Sequence, residues 1–271
     1  MIRSIPKEPS AAQVNSMFQY LAGCIENFCP ANRYDEYMTS AFDMVYNQLK
    51  TETDVNKVSK FKTCLVNYCW SKQSLEVLSE WIQGKNEVLS KFTPTLPERY
   101  RIVSYLYARS VGTQEWRDGI RAELEASDKT DMKKEYGYVI AAMTADKEQR
   151  AVLWADYMNP KTELSFHMLA MSCAGFNSKW VAYEVREQYF EEYYKVILDI
   201  LKNRSRKHAE EIFRCLSPGF KDCNQSVLKN AELMKSIGEL DSYWKKNLKD
   251  TNDSDKRKQM VLNFAENKEK L

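Results

Sequence analysis

The sequence predicts an all-α fold, and more specifically a curved α-solenoid of the HEAT or armadillo kind, built from paired antiparallel helices. Only 8 glycines and 7 prolines occur among 271 residues, which is low against usual abundances of about 7% and 5%. Apolar residues recur three, four and seven positions apart in one segment after another, as expected of one helix face. Start and stop signals separate these segments by short turns, which favours stacked helix pairs.

The first part of the chain predicts four helices. Ser10 is a candidate N-cap for the first helix, which ends at Pro30, because its hydroxyl can accept a hydrogen bond from the first turn. The fourth begins at Ser71 and ends at Gly84, since glycine suits the left-handed position after a helix. The four apolar stripes are Val14, Met17, Phe18, Leu21 and Ile25; Tyr37, Met38, Phe42, Val45 and Leu49; Val58, Phe61, Leu65 and Tyr68; and Leu75, Leu78 and Trp81.

The segment 96–116 predicts a helix that ends and is followed at once by another. Pro97 suits the first turn of a helix, where its missing N–H is not needed. Gly112 fits the left-handed position after this helix, and Thr113 is a candidate cap for the next. We therefore expect a tight turn between two antiparallel helices here. The buried stripe of the first helix is Tyr100, Val103, Tyr107 and Val111.

The remaining chain continues the helical pattern. Asp146 and Gln149 form a start that resembles a capping box, and the helix that follows ends at Asn159-Pro160. A helix before this start carries Met132, Tyr136, Val139, Ile140 and Met143. The helices expected after Pro160 are 164–173, stopped by Gly175; the longest, from Ser178 through Ile197; and 208–216, 227–248 and 255–269.

Composition predicts one helical domain over residues 1–271, because no compositional break divides the chain. Lys and Arg number 40 against 38 Asp and Glu, so charge gives no argument for binding nucleic acid or an anionic membrane. The longest apolar run is about half of the ~20 residues of a membrane span, and we expect no membrane contact by this segment. The N-terminus lacks the apolar core of a signal peptide, so we expect a cytosolic chain or a fragment whose targeting segment lies elsewhere.

The sequence carries no recognisable catalytic or cofactor motif. It has no His-Glu-x-x-His, no Gly-x-Ser-x-Gly, no P-loop and no dinucleotide-binding fingerprint. His167 lies in an apolar run and is expected to be a core or turn histidine. His208 and Glu211 stand one helical turn apart, as two metal ligands could, but without a third ligand a solvated helix start is favoured. We therefore expect no catalytic residue, no metal and no cofactor in this chain, and no enzymatic activity from it alone.

The aromatic and cysteine side chains are interpreted first as parts of the hydrophobic core. The 16 tyrosines and 6 tryptophans have mostly helical spacing, which favours packing, although a concave face of Tyr, Arg and Lys could also hold a peptide. The seven cysteines are interpreted as small buried hydrophobes. Cys215 and Cys223 flank a turn and could close a disulfide in an oxidising compartment.

The same stretch 96–116 resembles the C-terminal helical domain of the zinc aminopeptidases related to aminopeptidase N and the endoplasmic-reticulum aminopeptidases. In that family a helix that starts at Pro is followed by Gly and an acidic-Trp turn. Later features of the family also have counterparts in the same order over most of residues 10–271. The matching positions are Pro97, Val103, Gly112, Glu115 and Trp116; 133–135, 139–142, Leu153 and 159–160; Gly175, Trp180 and Tyr183; and Trp244 and 261–264.

The resemblance implies a non-catalytic domain that closes over a catalytic domain of the same polypeptide and contacts the distal part of a peptide substrate. The zinc and the general base would belong to that catalytic domain, since their motif is absent from this chain. Closure of such a domain controls access, and remote contacts position the reacting end of the substrate. The alternative is a free-standing helical-repeat scaffold that binds other proteins.

The resemblance leaves the compartment and the binding residues open. It slightly favours a secreted or membrane-anchored ectodomain, whereas Tyr105 and a non-cysteine near Met143 stand where secreted relatives carry cysteines. A cytoplasmic location therefore stays an alternative. Candidate glycosylation sites of the Asn-x-Ser form occur at Asn203, Asn224 and Asn252. The spacing does not single out the residues that would contact a peptide.

Overall fold

The structure, a computed structural model, describes residues 4–144, 146–220, 223–238 and 240–269. Within these residues the chain forms α-helices, short 3-10 turns and loops, and no β-strand, so the all-α prediction is confirmed. The arrangement of the helices as a curved solenoid stays a prediction. The α-helices are α1 Ala11–Phe28, α2 Tyr34–Thr51, α3 Val55–Tyr68, α4 Lys72–Ile82, α5 Leu96–Ala108, α6 Gln114–Ser127, α7 Met132–Met143, α8 Lys147–Met158, α9 Phe166–Phe176, α10 Tyr183–Arg186, α11 Phe190–Asn203, α12 Arg206–Leu216, α13 Cys223–Lys235 and α14 Ser242–Glu269.

The chain divides into two compact units, the first mainly of residues 4–106 and 110–128, and the second mainly of 107–109 and 129–267. The prediction of a single helical domain over residues 1–271 stays a prediction.

The first unit buries most of the predicted stripes of α1 to α4, whereas Met17, Tyr37 and Val58 are only partly buried. Phe18 of α1 packs edge-on against Phe61 of α3, with ring centroids 5.8 Å apart. Tyr68 at the end of α3 donates a hydrogen bond to the backbone oxygen of Phe18 at 2.9 Å. The indole N–H of Trp81 in α4 donates to the backbone oxygen of Phe92 at 2.8 Å. Both aromatic side chains therefore combine apolar burial with a satisfied polar group.

The second unit contains an apolar core contributed by α7, α8, α9, α11, α12, α13 and α14. Gly175 lies inside α9, and a Cβ there would stand 3.0 Å from the backbone oxygen of Val139 in α7. The prediction that Gly175 stops this helix is therefore wrong, and the glycine instead allows α7 and α9 to approach closely. The fully buried members of this core include Tyr157, Leu169, Cys173, Ile197, Ala209 and Ile212.

Most predicted helix starts are confirmed by capping hydrogen bonds. Ser10 accepts from the N–H of Gln13, Thr113 from that of Trp116, and Asp146 from that of Gln149. Gly84 and Gly112 have φ angles of 70° and 67°, as the left-handed position requires.

Trp116 gives Gly112 a second constraint. A Cβ at Gly112 would stand 2.5 Å from the ring of Trp116. The end of α5 and the start of α6 are therefore fixed by one left-handed glycine with an indole packed against it.

The C-terminal half departs from the prediction at three places. The helix expected from Ser178 begins at Tyr183 and is interrupted by a 3-10 turn, Glu187–Tyr189, before α11. The helix expected over 227–248 ends at Lys235, and α14 begins at Ser242, where Asp241 accepts from the N–H of Trp244 at 3.0 Å. α14 then runs through the polar stretch around Asp255 that was expected to start a new helix, and at 28 residues it is the longest.

Candidate functional site

A surface groove between α11 and α13 is the candidate binding site. It encloses about 250 Å³. Its floor is formed by Tyr194, Leu198 and Leu233, and its rim carries charges of both signs from Glu191, Lys195, Lys229 and Glu232. Four of its eight lining residues are charged, so the groove is more polar than the mostly apolar pockets that bind small molecules.

Ion pairs organise the rim of this groove. Lys229 Nζ of α13 lies 2.8 Å from Glu191 Oε2 of α11, and this hydrogen bond raises the pKa of the lysine. Lys195 Nζ lies 3.1 Å from Glu192 Oε2 on its own helix. The side chains of Glu191 and Lys195 are more than 60% exposed and that of Lys229 is 33% exposed, so the pairs contribute little to stability. Because each ion pair is weak, Lys195 or Lys229 can leave its glutamate and pair with a charged group of a ligand at a small cost in free energy.

A buried polar cluster lies behind the groove, where α11, α13 and α14 meet. Tyr194 donates to Asn230 Oδ1 at 3.0 Å, and Asn230 Nδ2 donates to Asp255 Oδ2 at 2.8 Å. Ser226 Oγ also donates to Asp255 Oδ2. Ser226 and Asn230 are each 6% exposed. Burial raises the pKa of Tyr194, and the carboxylate of Asp255 adds to this shift, so the phenol stays protonated near neutral pH.

The same face of α14 carries buried oxygens that lack a donor. Asn252 is 7% exposed, and its side-chain oxygen has no hydrogen-bond partner among the residues that the structure describes. Gln259 Oε1 is likewise buried and has none. These two residues stand one turn before and one turn after Asp255, which places all three on one stripe of the helix. Two acceptors on this stripe of α14 therefore lack a donor within the described part of the chain.

The second polar centre of this unit is Arg150, which is only 1% exposed. Its Nη1 donates to the backbone oxygen of Ala142 at 2.6 Å, and its Nη2 donates to that of Phe176 at 2.8 Å. Both oxygens lie at C-terminal ends of helices, α7 and α9, where intrahelical donors are missing. The guanidinium stands 3.8 Å from the centre of the Phe176 ring and 5.6 Å from that of Tyr189. Burial lowers the pKa of Arg150 to about 10, which leaves it protonated near neutral pH.

Arg117 of the first unit makes an equivalent contact. It is 8% exposed and donates through Nη1 to the backbone oxygens of Val111 and Gly112, at 3.0 and 2.8 Å. Both arginines stand four residues after the capping residue of their helix. The sequence shows this as Thr113-Gln-Glu-Trp-Arg117 and Asp146-Lys-Glu-Gln-Arg150, a shared pattern of cap, Glu and Arg. This repeat was visible in the sequence but was not recognised there.

The two histidines are outside these centres. His167 was predicted to lie in the core or in a turn. Its side chain is 61% exposed, with Nε2 3.1 Å from Glu135 Oε1, so it does not belong to the core. The cause is its place in the first turn of α9, where it points away from the buried stripe. His208 Nδ1 lies 2.7 Å from Ser205 Oγ in the first turn of α12, as a helix start predicts.

The carboxylate of Glu211 is hydrogen bonded to neighbouring side chains of α12. It accepts hydrogen bonds from Arg214 and from the thiol of Cys215. Among the described residues no group of three or more His, Cys, Asp or Glu side chains could hold a metal ion.

Three cysteines follow the prediction of buried thiols. Cys64, Cys69 and Cys173 are buried, whereas Cys24 is exposed. Burial raises the pKa of the Cys64 thiol to about 12, which makes it a poor nucleophile. The side chain of Cys223 lies outside the described residues, and with it the predicted disulfide to Cys215.

The three Asn-x-Ser asparagines lie in different surroundings. Asn203 is exposed at the end of α11 and donates to Asp199 Oδ1 at 2.6 Å. Asn224 is exposed in the first turn of α13. Asn252 is buried within α14, where the folded chain leaves no room for a glycan.

Comparison with known proteins returned no matching family model and no matching curated protein. Over the described part of the chain, no helix is both long and apolar enough to cross a membrane.

Proposed function

We propose that this chain is a non-catalytic helical domain that binds the distal part of a peptide in the groove between α11 and α13. The observation that supports this most is the groove itself. Its floor of Tyr194, Leu198 and Leu233 can take an apolar side chain, and ammonium groups stand at its rim. A peptide that ends in a carboxylate offers both features, and Lys195 and Lys229 are the cationic partners for that carboxylate.

The more specific form of this proposal places the domain in a zinc aminopeptidase. It is supported by the sequence resemblance carried by Pro97, Gly112 and Trp116, and by the all-helical fold. In this form the catalytic domain of the same polypeptide supplies the zinc and the general base. The residues described above would contact the substrate far from the cleaved bond and cover it.

Peptide binding by the purified chain tests the proposal. Fluorescence anisotropy would compare a labelled peptide of about ten residues, ending in an apolar residue, as the free acid and as the C-terminal amide. We expect the free acid to bind about 5- to 10-fold more tightly, because a charge-assisted hydrogen bond contributes about 1–1.4 kcal/mol. Lys229→Gln should remove this preference, while Lys207→Gln, an exposed lysine of α12, should keep it.

Equal affinity for acid and amide in the parent chain would contradict the proposed carboxylate contact. Aminopeptidase activity of the chain alone, or zinc bound at one equivalent, would contradict its non-catalytic role.

A free-standing scaffold for protein partners is the second candidate. It is favoured by exposed apolar side chains on the last two helices, where Leu228 is 65% and Met260 69% exposed. Such residues can anchor a partner helix. The complete reading frame separates the two candidates, because an upstream His-Glu-x-x-His supports the aminopeptidase domain and a frame without it supports the scaffold.

A further inference from the structure

We propose that the peptide held between α11 and α13 has a basic side chain, preferably that of arginine, at the residue before its C-terminal residue, and that Glu232 binds this side chain. The inference rests on the proposed function, since it takes the C-terminal carboxylate to lie at the lysines of the same groove. It adds a second contact, which selects among peptides that all end in a free carboxylate.

Glu232 lines the groove from α13 and is exposed there, and it has no ion pair with any described residue. The other charged groups of the rim are paired. Lys229 is bonded to Glu191 across the groove at 2.8 Å. Lys195 is bonded at 3.1 Å to Glu192, which does not line the groove. The ligand charge that complements the remaining carboxylate is therefore a cation.

The spacing of the rim charges along α13 places this cation within the peptide. Glu232 follows Lys229 by three residues, which is about 4.5 Å along the helix axis. An extended peptide advances about 3.3 Å per residue. A peptide whose carboxylate lies at Lys229, and whose chain runs along the groove, therefore brings its penultimate residue beside Glu232.

The alternation of side chains in an extended peptide supports the same position. Successive side chains point to opposite sides of the chain. When the C-terminal side chain packs on the floor of Tyr194, Leu198 and Leu233, the penultimate side chain points outward to the rim. Glu232 stands at this rim, and the planar guanidinium of arginine can bind its carboxylate through two parallel hydrogen bonds.

The overall charge of the chain does not explain a preference for a basic peptide. The formal net charge is +2, so long-range attraction alone favours acidic peptides over basic ones. A preference for arginine therefore reports a local carboxylate, and Glu232 is the one assigned here.

Binding of three peptides to the purified full chain tests the inference. Each peptide is a labelled free acid of about ten residues with a C-terminal leucine, and the residue before the leucine is arginine, alanine or glutamate. We expect the arginine peptide to bind about 3-fold more tightly than the alanine peptide, as for an exposed charge pair. The glutamate peptide should bind about 3-fold more weakly than the alanine peptide. Fluorescence anisotropy measures all three affinities.

Matched variants tie this order of affinities to one carboxylate. Glu232→Gln should make the three peptides bind equally, whereas Glu148→Gln, the same change at an exposed position of α8, should keep the order. Equal affinities in the parent chain would overturn the inference, and so would an order that persists in Glu232→Gln.

The free acid and the C-terminal amide of the alanine peptide separate this inference from the proposed function. A preference for the acid without a preference for arginine would overturn the role of Glu232 alone. A preference for arginine that depends on Glu232, without a preference for the acid, would support the Glu232 contact and overturn the proposed carboxylate contact. Absence of binding by every peptide would overturn both.

Discussion

The Arg150 centre and the contact between α13 and α14 solve the burial of polar groups in opposite ways. Arg150 brings donors into an interior that already holds free acceptors, the terminal oxygens of Ala142 and Phe176. On α14, by contrast, the side-chain oxygens of Asn252 and Gln259 have no donor among the described residues. A buried charge whose partners are backbone groups and aromatic rings is a structural feature. A buried oxygen without a donor is a destabilising feature.

Removal of Arg150 should have the largest effect on stability. Arg150→Ala leaves two buried backbone oxygens without donors and a cavity beside Phe176, so we expect a loss of about 3–5 kcal/mol in the free energy of unfolding. Urea denaturation measures it. Lys207→Ala, at an exposed residue of α12, is the control and should change stability by less than about 1 kcal/mol. A small effect of Arg150→Ala would mean that this centre is not structural.

The equivalent arginine of the first unit should show a smaller effect of the same kind. Arg117→Ala removes the donors to Val111 and Gly112, and we expect a loss of about 2 kcal/mol. Gln, which can reach one oxygen but carries no charge, should restore part of it. If Arg117→Ala is neutral, the shared pattern of cap, Glu and Arg is a coincidence of sequence and not a repeated device.

Alkaline pH should weaken the fold through tyrosines near both centres. Burial raises the pKa of Tyr157 and of Tyr194 above their usual value. Above about pH 10 the phenols of the unfolded chain lose protons while those of the folded chain keep them. The unfolded state then binds fewer protons, so stability is intact below pH 10 and falls as the pH rises.

The size of this pH effect can be assigned by substitution. We expect a loss of the order of 1 kcal/mol per group by pH 11, measured as Tm from pH 8 to 11. Tyr194→Phe and Tyr157→Phe should each make the fall shallower. Tyr20→Phe, at a residue 70% exposed, should leave the fall unchanged, and an unchanged fall in all three variants would refute the assignment.

Asn252 should give the smallest effect, and in the opposite direction. Asn252→Leu removes a buried oxygen that has no donor among the described residues, so we expect a gain of about 1 kcal/mol in the free energy of unfolding. Ser226→Ala removes a donor that Asp255 uses and should be destabilising under the same conditions. A loss of stability in Asn252→Leu would show that the Asn252 amide has a partner in solution.

Local signals made much of the fold predictable. Ser10, Thr113 and Asp146 cap helices as expected because a cap needs only residues three positions apart. The break between α13 and α14 was missed although Gly238 and the cap residue Asp241 mark it in the sequence. Polar residues near Asp255 were read as a new start, although Thr251 satisfies its hydroxyl within α14 by donating to Asn247 O.

The polar centres were much less predictable, because their partners come from distant segments. Arg150 bonds residues 8 positions before it and 26 after it, and no local pattern marks Ala142 or Phe176 as acceptors. The groove needs α11 and α13 side by side, which periodicity alone does not give. The pattern shared by 113–117 and 146–150 is the one sequence signal that would have marked both buried arginines.

Hydrogen–deuterium exchange with and without a C-terminal carboxylate peptide tests the central claim most directly. The claim is that the groove between α11 and α13 binds peptide while the Arg150 centre is structural. We predict that peptide slows exchange in α11 and α13 and leaves α7 and α9 unchanged, and that Lys229→Gln reduces this protection. Protection confined to other helices, or none at a saturating peptide concentration, would contradict the account.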